Sequence, residues 1–535
     1  MEKSVKITNT LGVREFLSFI HPQGDIIAGF LDQNRAMTGI RYHREWQKRL
    51  TGECEVPIRL DLTSDRCSLS LIGRIDHLLE TDEGWLIQEF KTTEVSEEHF
   101  GLMPDEMDLQ QAKCYAYMLA VQNQLSAVQV ELLYRHIPKK PITTFSYTFT
   151  WSELEDFFTP LWESYVQWYH QWLDWINTRN ESLTRCAFPY RSLRKGQSDL
   201  IEQVEMNLMQ EACLWVEAPT GIGKTMGVLY PAVQQLIKTP LAKVFYLTSK
   251  TTQQENAIRA IQHIRQSGAH LRSVHLVAKE KCCPKAQKIC HPDWCEYAKG
   301  YYDRVNQAIT ELVEIDSFSS DEVMKIAEKY RLCPFEFSLD ASLWADILVG
   351  DYNYAFDPRV ALKRYWENPD FQGILLVDEA HNMLDRAREM YSVEFSKRDL
   401  YALYKTQKMI DPKVAKAFRE LHKVFTQAEN EEEIVEKHYL VKVESHEPLL
   451  TALENLTQSY NHAIQNKKFT DPTSKSLEFL WNAWFAQKVF AWYQEESYCT
   501  YFVKEKDDLK IKLFCIHPAQ QLKKVLEKTI GSIFF

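Results

Sequence analysis

The stretch LWVEAPTGIGKT, residues 214–225, decides how the chain is read. An apolar start gives a short strand, two closely spaced glycines give a turn, and Lys224-Thr225 opens a helix. Gly221 and Gly223 let the backbone curl so that successive N–H groups point inward, a cradle for phosphate oxygens at a helix N-terminus. Lys224 is long enough to reach the outer phosphates of a nucleotide, and the Thr225 hydroxyl is placed to hold Mg²⁺. Ala218 occupies the place where the strict pattern has glycine.

Further along, GILLVDEAH (373–381) carries an acidic pair at the end of another apolar run. Asp378 would hold Mg²⁺ through water, and Glu379 would polarise the water that attacks the terminal phosphate. Adjacent acids on a solvated surface are common, but a pair closing a buried strand, in a chain with a phosphate loop, points to nucleotide hydrolysis. AKVFYLTSK (242–250) is a third apolar run. Such near-continuous runs, separated by helical segments, indicate an α/β fold with a parallel sheet covered on both faces.

Five of the twelve cysteines fall between Cys282 and Cys333, in the spacing Cys282-Cys283-x6-Cys290-x4-Cys295 and then Cys333-Pro334. In a reducing compartment such a group means metal sooner than disulfides. Thiolates suit zinc and iron–sulfur centres alike, so spacing does not choose between them. Cys54, Cys67, Cys114, Cys186, Cys213, Cys499 and Cys515 are scattered and read as small buried side chains.

The N-terminal third has its own α/β pattern. CSLSLIGRIDHLL (67–79) and GWLIQEFKTT (84–93) read as strands joined by a turn, MDLQQAKCYAYMLAVQNQL (107–125) as a helix, and VQVELLYRHI (128–137) as a strand. A Trp-rich helix, 152–176, follows and ends where NTRNESLTRC breaks the aromatic spacing. Asp76 and Glu89 lie near the ends of the first two strands, and Glu89 and Lys91, two apart, share a face. Two carboxylates converging across a hairpin make a hard oxygen site for Mg²⁺ or Mn²⁺. Lys91 can position the attacking water, while the metal offsets charge building on a scissile phosphate.

EAPTGIGKT and VDEAHN resemble superfamily 2 helicases of the XPD/DinG type, over about residues 185–535. FPYRSLRKGQ (188–197) resembles that family's adenine motif, which implies that Tyr190 stacks near the base and Gln197 reads its edge. YLTSKTTQQENA (246–257) resembles the motif that holds the translocated strand, and DILVGDYNYAFDP (346–358) the segment before the acidic box. The resemblance implies ATP and Mg²⁺ as ligands, 5′→3′ DNA unwinding, and a 4Fe–4S iron–sulfur cluster on Cys283, Cys290, Cys295 and Cys333, with Cys282 a neighbour. Such a cluster would pin its insertion and present it to DNA as a wedge. The N-terminal part resembles the RecB/Cas4-like branch of the PD-(D/E)XK nucleases. That branch implies metal ligation by His43, in GIRYHREWQKR (39–49), and substrate contact by Gln111 and Tyr115, in QAKCY. The cysteine cluster of some of its members has no match here.

At 535 residues the chain is long enough for about three or four units. The reading is a PD-(D/E)XK nuclease-like domain over 1–178, and a RecA-like parallel-sheet motor domain over 179–277, 341–384 and 516–535. An iron–sulfur insertion covers 278–340 and a helical arch-like insertion 385–515. The net charge of −11 excludes a protein coated in basic residues, though not a basic groove. No secretory leader or apolar membrane span is evident, so the expected compartment is the cytoplasm. The end, LEKTIGSIFF, is a strand that in the resembling family leads into a second motor domain. The chain therefore reads as a fragment of a longer protein, a weak ATPase whose loose last strand leaves a sheet edge open to self-association. The function read is an ATP-dependent 5′→3′ DNA helicase fused to a metal-dependent single-strand nuclease, acting on single-stranded or forked DNA in repair or processing. The rival readings are an ATP-regulated nuclease that does not unwind, and a non-catalytic DNA-binding scaffold.

Overall fold

A computed structural model describes residues 8–26, 52–82, 84–93, 100–101, 103–136, 141–285, 290, 292–368, 371–408, 410–465 and 474–535. The chain divides into two units, Met1–Asn177 with Cys290–Ala308, and Thr178–Ile289 with Ile309–Phe535. No helix among the described residues is long and apolar enough to cross a membrane.

The first unit is built on a mixed six-stranded sheet. Its strands are β1 (Thr8–Gly12), β2 (Glu53–Thr63), β3 (Ser68–Thr81), β4 (Gly84–Thr93), β5 (Ala127–His136) and β6 (Ile142–Thr150). The order is β1-β3-β4-β5-β6, with β2 also on β3. β1 runs parallel to β3 and β4 to β5, while the other pairings are antiparallel. Buried and half-buried residues alternate along β5, the period-two pattern of a strand with one face in the core. Helices α1 (Val13–Ile20), α2 (Glu106–Asn123) and α3 (Trp151–Arg185) supply the rest of that core. Phe16 and Leu17 from α1, Tyr115 and Met118 from α2, and Phe158 and Tyr165 from α3 pack with Leu71, Ile75 and Val130 of the sheet. The helix α3 runs past the end of its aromatic spacing because 177–185 holds no Pro or Gly. Ser182 and Thr184 also return hydrogen bonds to the Arg179 and Asn180 carbonyls, at 2.7 and 2.8 Å.

The second unit holds a seven-stranded sheet in which every described pairing is parallel. Its strands are β7 (Cys213–Trp215), β8 (Lys243–Leu247), β9 (Ser273–His275), β10 (Ser317–Phe318), β11 (Ile347–Gly350), β12 (Gly373–Val377) and β17 (Thr529–Phe534), in the order β10-β9-β11-β8-β12-β17-β7. All of β11 and β12 is buried, as a parallel sheet covered on both faces requires. The last strand corrects one expectation. β17 is not a loose edge; it lies inside the sheet, between β12 and β7. Phe535 is buried, its N–H bonds the Val377 carbonyl at 3.0 Å, and its own carbonyl takes the Ala380 N–H at 3.1 Å. Six apolar or small residues, TIGSIF, gain more by filling the gap between two strands than by trailing in water.

Residues 385–515 contain helices at Lys397–Gln407, Pro412–Glu429, Glu447–Gln465 and Ser474–Trp492. They accompany a four-stranded antiparallel sheet of β13 (Val393–Ser396), β14 (Tyr439–Lys442), β15 (Tyr498–Glu505) and β16 (Asp508–Cys515), in the order β13-β16-β15-β14. The β15–β16 hairpin turns at Lys506 and Asp507, with Lys506 at φ 53°. The two four-residue strands are too short to show an alternation in sequence.

Candidate active sites

In the first unit the antiparallel register pairs His77 with Gln88, which sets Asp76 opposite Glu89 where the hairpin opens. Each carboxylate braces the other strand. Glu89 Oε1 accepts the Asp76 N–H at 3.2 Å, and Asp76 Oδ2 accepts the Phe90 N–H at 2.8 Å. Lys91, on the same face as Glu89, places Nζ 3.4 Å from Glu89 Oε2 and donates to Gln111 Oε1 at 3.1 Å. Gln111 in turn donates from Nε2 to the Tyr115 hydroxyl at 3.0 Å, one helical turn along α2. The Tyr115 ring lies directly on β3, where a Cβ at Gly73 would come within 2.4 Å of its Cε1. Asp76, Glu89, Lys91, Gln111 and Tyr115 thus meet in one place. His43 lies outside the described residues.

Asp108 is the participant that sequence reading missed. It is buried on α2, its Oδ1 lies 3.7 Å from Lys91 Nζ and 3.7 Å from Arg14 Nη2, and its Oδ2 accepts the Tyr134 hydroxyl at 2.9 Å. The available signal was its place one turn before Gln111 in MDLQQAKCY.

Glu89 is 1% exposed, and burial pushes its carboxyl up to about 8; Lys91 pulls the other way and the Asp76 charge adds to the rise. Burial also works against the Lys91 ammonium, but Glu89, Asp108 and Asp76 together hold it above the usual lysine value. Two adjacent carboxyl groups, one kept protonated by burial despite the neighbouring Lys91 ammonium, fit a hard divalent cation. A stability prediction follows from the sign of the shift. The folded Glu89 keeps a proton that the unfolded chain releases near its ordinary value of 4.5. That stabilisation is complete at low pH and is lost as pH rises through about 8. The metal-free protein should therefore melt at progressively lower temperature between about pH 5 and pH 8.5. Glu89→Gln should flatten that slope, and equal slopes in parent and variant would show that this carboxyl is not its cause.

The phosphate loop of the second unit follows β7, and the acidic pair follows β12. Helix α4 (Gln197–Met209) precedes β7, and helix α5 (Lys224–Gln235) opens at the loop. Gly221 and Gly223 have φ of 89° and 82°, the left-handed conformation that the cradle demands. Lys224 Nζ bends back onto the Ala218 carbonyl at 3.3 Å. The Tyr246 phenol donates to Asp378 Oδ2 at 2.7 Å, and burial pushes that phenol well above its ordinary value while Thr225 works against the rise. Burial raises the Asp378 carboxyl, with the Lys224 charge among the opposing influences. The two motifs therefore meet across the C-terminal edge of one parallel sheet, where open α/β folds bind ligands.

Glu379 is held at both oxygens. Gln253 Nε2 donates to Oε1 at 3.1 Å, while Lys250 Nζ and His381 Nε2 each lie 3.5 Å from Oε2. The Tyr352 hydroxyl donates to the carbonyls of both Asp378 and Glu379. Tyr246, Gln253 and Tyr352 lay within quoted motifs, but only the fold shows what they touch. Tyr190 is half-exposed and bonds His263 Nδ1 at 2.8 Å. Gln197 is 2% exposed, with Nε2 donating to the Gly223 carbonyl at 3.0 Å and Oε1 accepting the Arg194 N–H at 3.1 Å. One end of its amide thus holds the glycine loop and the other its own segment.

Cys283 follows the short turn Lys279–Cys282, and Cys333 is buried directly before the helix Pro334–Ala341, its thiol pushed up to about 11 by burial. These two fall in the second unit, while Cys290 and the buried Cys295 fall in the first. Among the described residues no three His, Cys, Asp or Glu side chains form a group that could hold a metal ion. Of the scattered cysteines, Cys67, Cys114, Cys186, Cys499 and Cys515 are buried as expected. Cys213 is exposed, because the short strand that carries it is the outermost of its sheet, and Cys54 is half-buried.

Residues 20–299, just over half of the chain, match the family model described as the PD-(D/E)XK nuclease superfamily, and residues 246–400 match the one described as DEAD_2. A Caenorhabditis briggsae protein named "Regulator of telomere elongation helicase 1 homolog" is 22% identical over 265 residues, covering 42% of this chain and 26% of its own. A Dictyostelium discoideum "General transcription and DNA repair factor IIH helicase subunit XPD" is 21% identical over 227 residues, covering 37% and 29%. A solved structure titled "XPD_Helicase" aligns at 19% identity and a TM-score of 0.41, over 65% of this chain and 58% of that one. The chain spans between 10% and 31% of the length of these curated relatives. It belongs to the PD-(D/E)XK nuclease superfamily and carries, in the same polypeptide, an XPD-like superfamily 2 helicase domain.

Proposed function

We propose that the chain processes DNA with two linked activities, a metal-dependent nuclease for single strands and an ATP-driven 5′→3′ motor. The observation that carries this is the meeting of Asp76, Glu89, Lys91, Gln111 and Tyr115 around a buried carboxyl. Asp76 and Glu89, with His43 from the sequence motif, are the groups that would hold Mg²⁺ or Mn²⁺. A cation there supplies positive charge against the charge that builds on the scissile phosphate. Lys91 orients the attacking water, and Gln111 fixes the lysine while Tyr115 meets the strand. Asp108 acts through Lys91 as a positioning residue. Asp108→Asn keeps an acceptor for Tyr134 but removes the charge, so turnover should fall about 10–100-fold. KM for single-stranded DNA and Mn²⁺ affinity should not change; a parental turnover number would remove Asp108 from the mechanism.

On the motor side, residues 218–225 cradle ATP, Tyr190 lies beside the base and Gln197 keeps the loop in shape. Thr225 and Asp378 are the groups that would hold Mg²⁺. Lys224 leaves the Ala218 carbonyl for the phosphates, and Glu379 leaves Gln253 and Lys250 to orient water. The assignment of a 4Fe–4S cluster to Cys283, Cys290, Cys295 and Cys333 rests on the cysteine spacing and the family resemblance. Iron and sulfide analysis of anaerobically purified protein tests it, and zinc in their place would overturn it. Forked DNA with ATP and Mg²⁺ tests the whole reading. Unwinding with cleavage supports it, cleavage alone selects a nuclease regulated by its nucleotide lobe, and binding alone leaves a scaffold.

A further inference from the structure

The nuclease unit is not one continuous stretch of chain. Cys290–Ala308, which interrupts the sequence of the motor between β9 and β10, belongs to it. A reciprocal clasp with the turn after α1 holds this piece. The Gly24 N–H donates to Asp303 Oδ1 at 2.9 Å, and the Gly300 N–H donates to Asp25 Oδ1 at 2.6 Å. Each side lends a carboxylate to the backbone of the other. Between them the Ile26 N–H bonds the Ala298 carbonyl at 3.0 Å and the Tyr302 N–H bonds the Gly24 carbonyl at 3.0 Å. Asn306 Nδ2 adds a bond to the Ile20 carbonyl at 3.3 Å, and Ala298 and Tyr301 are buried. Hydrogen bonds to a carboxylate are roughly twice as strong as neutral ones. Two of them pointing in opposite directions define one register, because a slip of one residue breaks both.

The clasp closes on the C-terminal end of α1, and the other end of that helix reaches the active site. Arg14 lies 3.7 Å from Asp108, which lies 3.7 Å from Lys91. Val13, Phe16, Leu17 and Ile20 are all buried, so the helix has little freedom to move without disturbing the core.

We propose that the clasp couples the cysteine-bearing segment to the nuclease site, so that a displacement of residues 290–308 is transmitted through α1, Arg14 and Asp108 to Lys91. The clasp itself stands without the nuclease reading; its effect on cleavage rests on that reading. The full chain carrying Asp303→Ala or Asp25→Ala tests both parts by amide hydrogen exchange. Loss of one charge-assisted bond should speed exchange by about tenfold or more, throughout α1 as well as at Gly24 and Gly300. Strands 243–247 and 373–377 should keep parental protection. The milder Asp303→Asn should give a smaller rise and guards against a variant that fails to fold. Mn²⁺-dependent cleavage should fall about tenfold in the clasp variants and in Arg14→Ala, as for the loss of a supporting hydrogen bond around a metal site. Exchange that rises only at the two glycines, with α1 unchanged, overturns the coupling. Parental cleavage rates in all of these variants overturn its catalytic half while leaving the nuclease reading intact. A parent that cuts nothing with Mg²⁺ or Mn²⁺ defeats that reading, and with it the catalytic half, while the exchange result still judges the clasp.

Discussion

Asp76→Ala and Lys91→Ala should each abolish metal-dependent cleavage of single-stranded DNA, with losses on the order of 10²–10³ or more, the scale seen when one preorganised polar group is removed from an active site. The two changes act differently. Asp76 is a candidate metal ligand and also the acceptor for the Phe90 N–H, so alanine removes a ligand and leaves a strand donor unpaired. An unsatisfied buried donor costs about 1–3 kcal/mol, so Asp76→Ala should also lower the melting temperature. Asp76→Asn retains an acceptor and separates the two effects: stability should return while cleavage does not. Lys91→Ala removes the positive charge that opposes the burial of Glu89. Its Mn²⁺ affinity should survive, since no proposed ligand is lost, while turnover collapses. The check is a cleavage assay with Mg²⁺ and with Mn²⁺ beside a thermal melt. Parental cleavage in either alanine variant would remove that residue from the mechanism.

The second large effect is expected at the phosphate loop. Lys224 Nζ donates to the Ala218 carbonyl of its own loop, a single neutral acceptor, and otherwise acts on Asp378 through its charge. Removing it should therefore change stability by less than about 0.5 kcal/mol. Against the phosphates of ATP the same ammonium is a buried charge partner, and truncating such a partner costs roughly 2–5 kcal/mol. Lys224→Ala should accordingly weaken ATP binding on the order of 30-fold to several thousandfold at an unchanged melting temperature. Glu379→Gln is the complementary variant. It keeps the cradle intact, so ATP binding should stay near the parental value, and it removes the group that orients water, so hydrolysis should stop. Fluorescent-nucleotide titration and phosphate release read the two separately. Equal ATP affinity in the parent and Lys224→Ala would show that the loop does not receive phosphate.

Much of this was legible in the residues, and the pattern of what was not is physical. The apolar runs 243–247 and 373–377 announced a parallel sheet because strands covered on both faces have no polar side to show. Asp76, Glu89 and Lys91 were legible because a two-residue spacing fixes a common face, and a short turn fixes which strand lies opposite. Gln111 and Tyr115 followed from helical spacing and family pattern together. Asp108 did not, because a buried acid on a helix carries no signal until Tyr134 and Arg14 arrive from distant stretches. Nor did the bonds of the buried Gln197 amide to the Gly223 carbonyl and the Arg194 N–H, since Gly223 comes from a distant stretch.

By itself, the sequence determined which groups are candidates for the chemistry and which local elements hold them, since periodicity, turns and motif spacing act over a few residues. Tertiary structure alone decided the long-range placements: the terminal strand entering the middle of the motor sheet, Asp378 meeting the Tyr246 hydroxyl, and residues 290–308 joining the nuclease unit. Each of these joins stretches far apart in the chain, and such contacts depend on which buried surfaces and backbone donors remain unpaired once the local elements have formed.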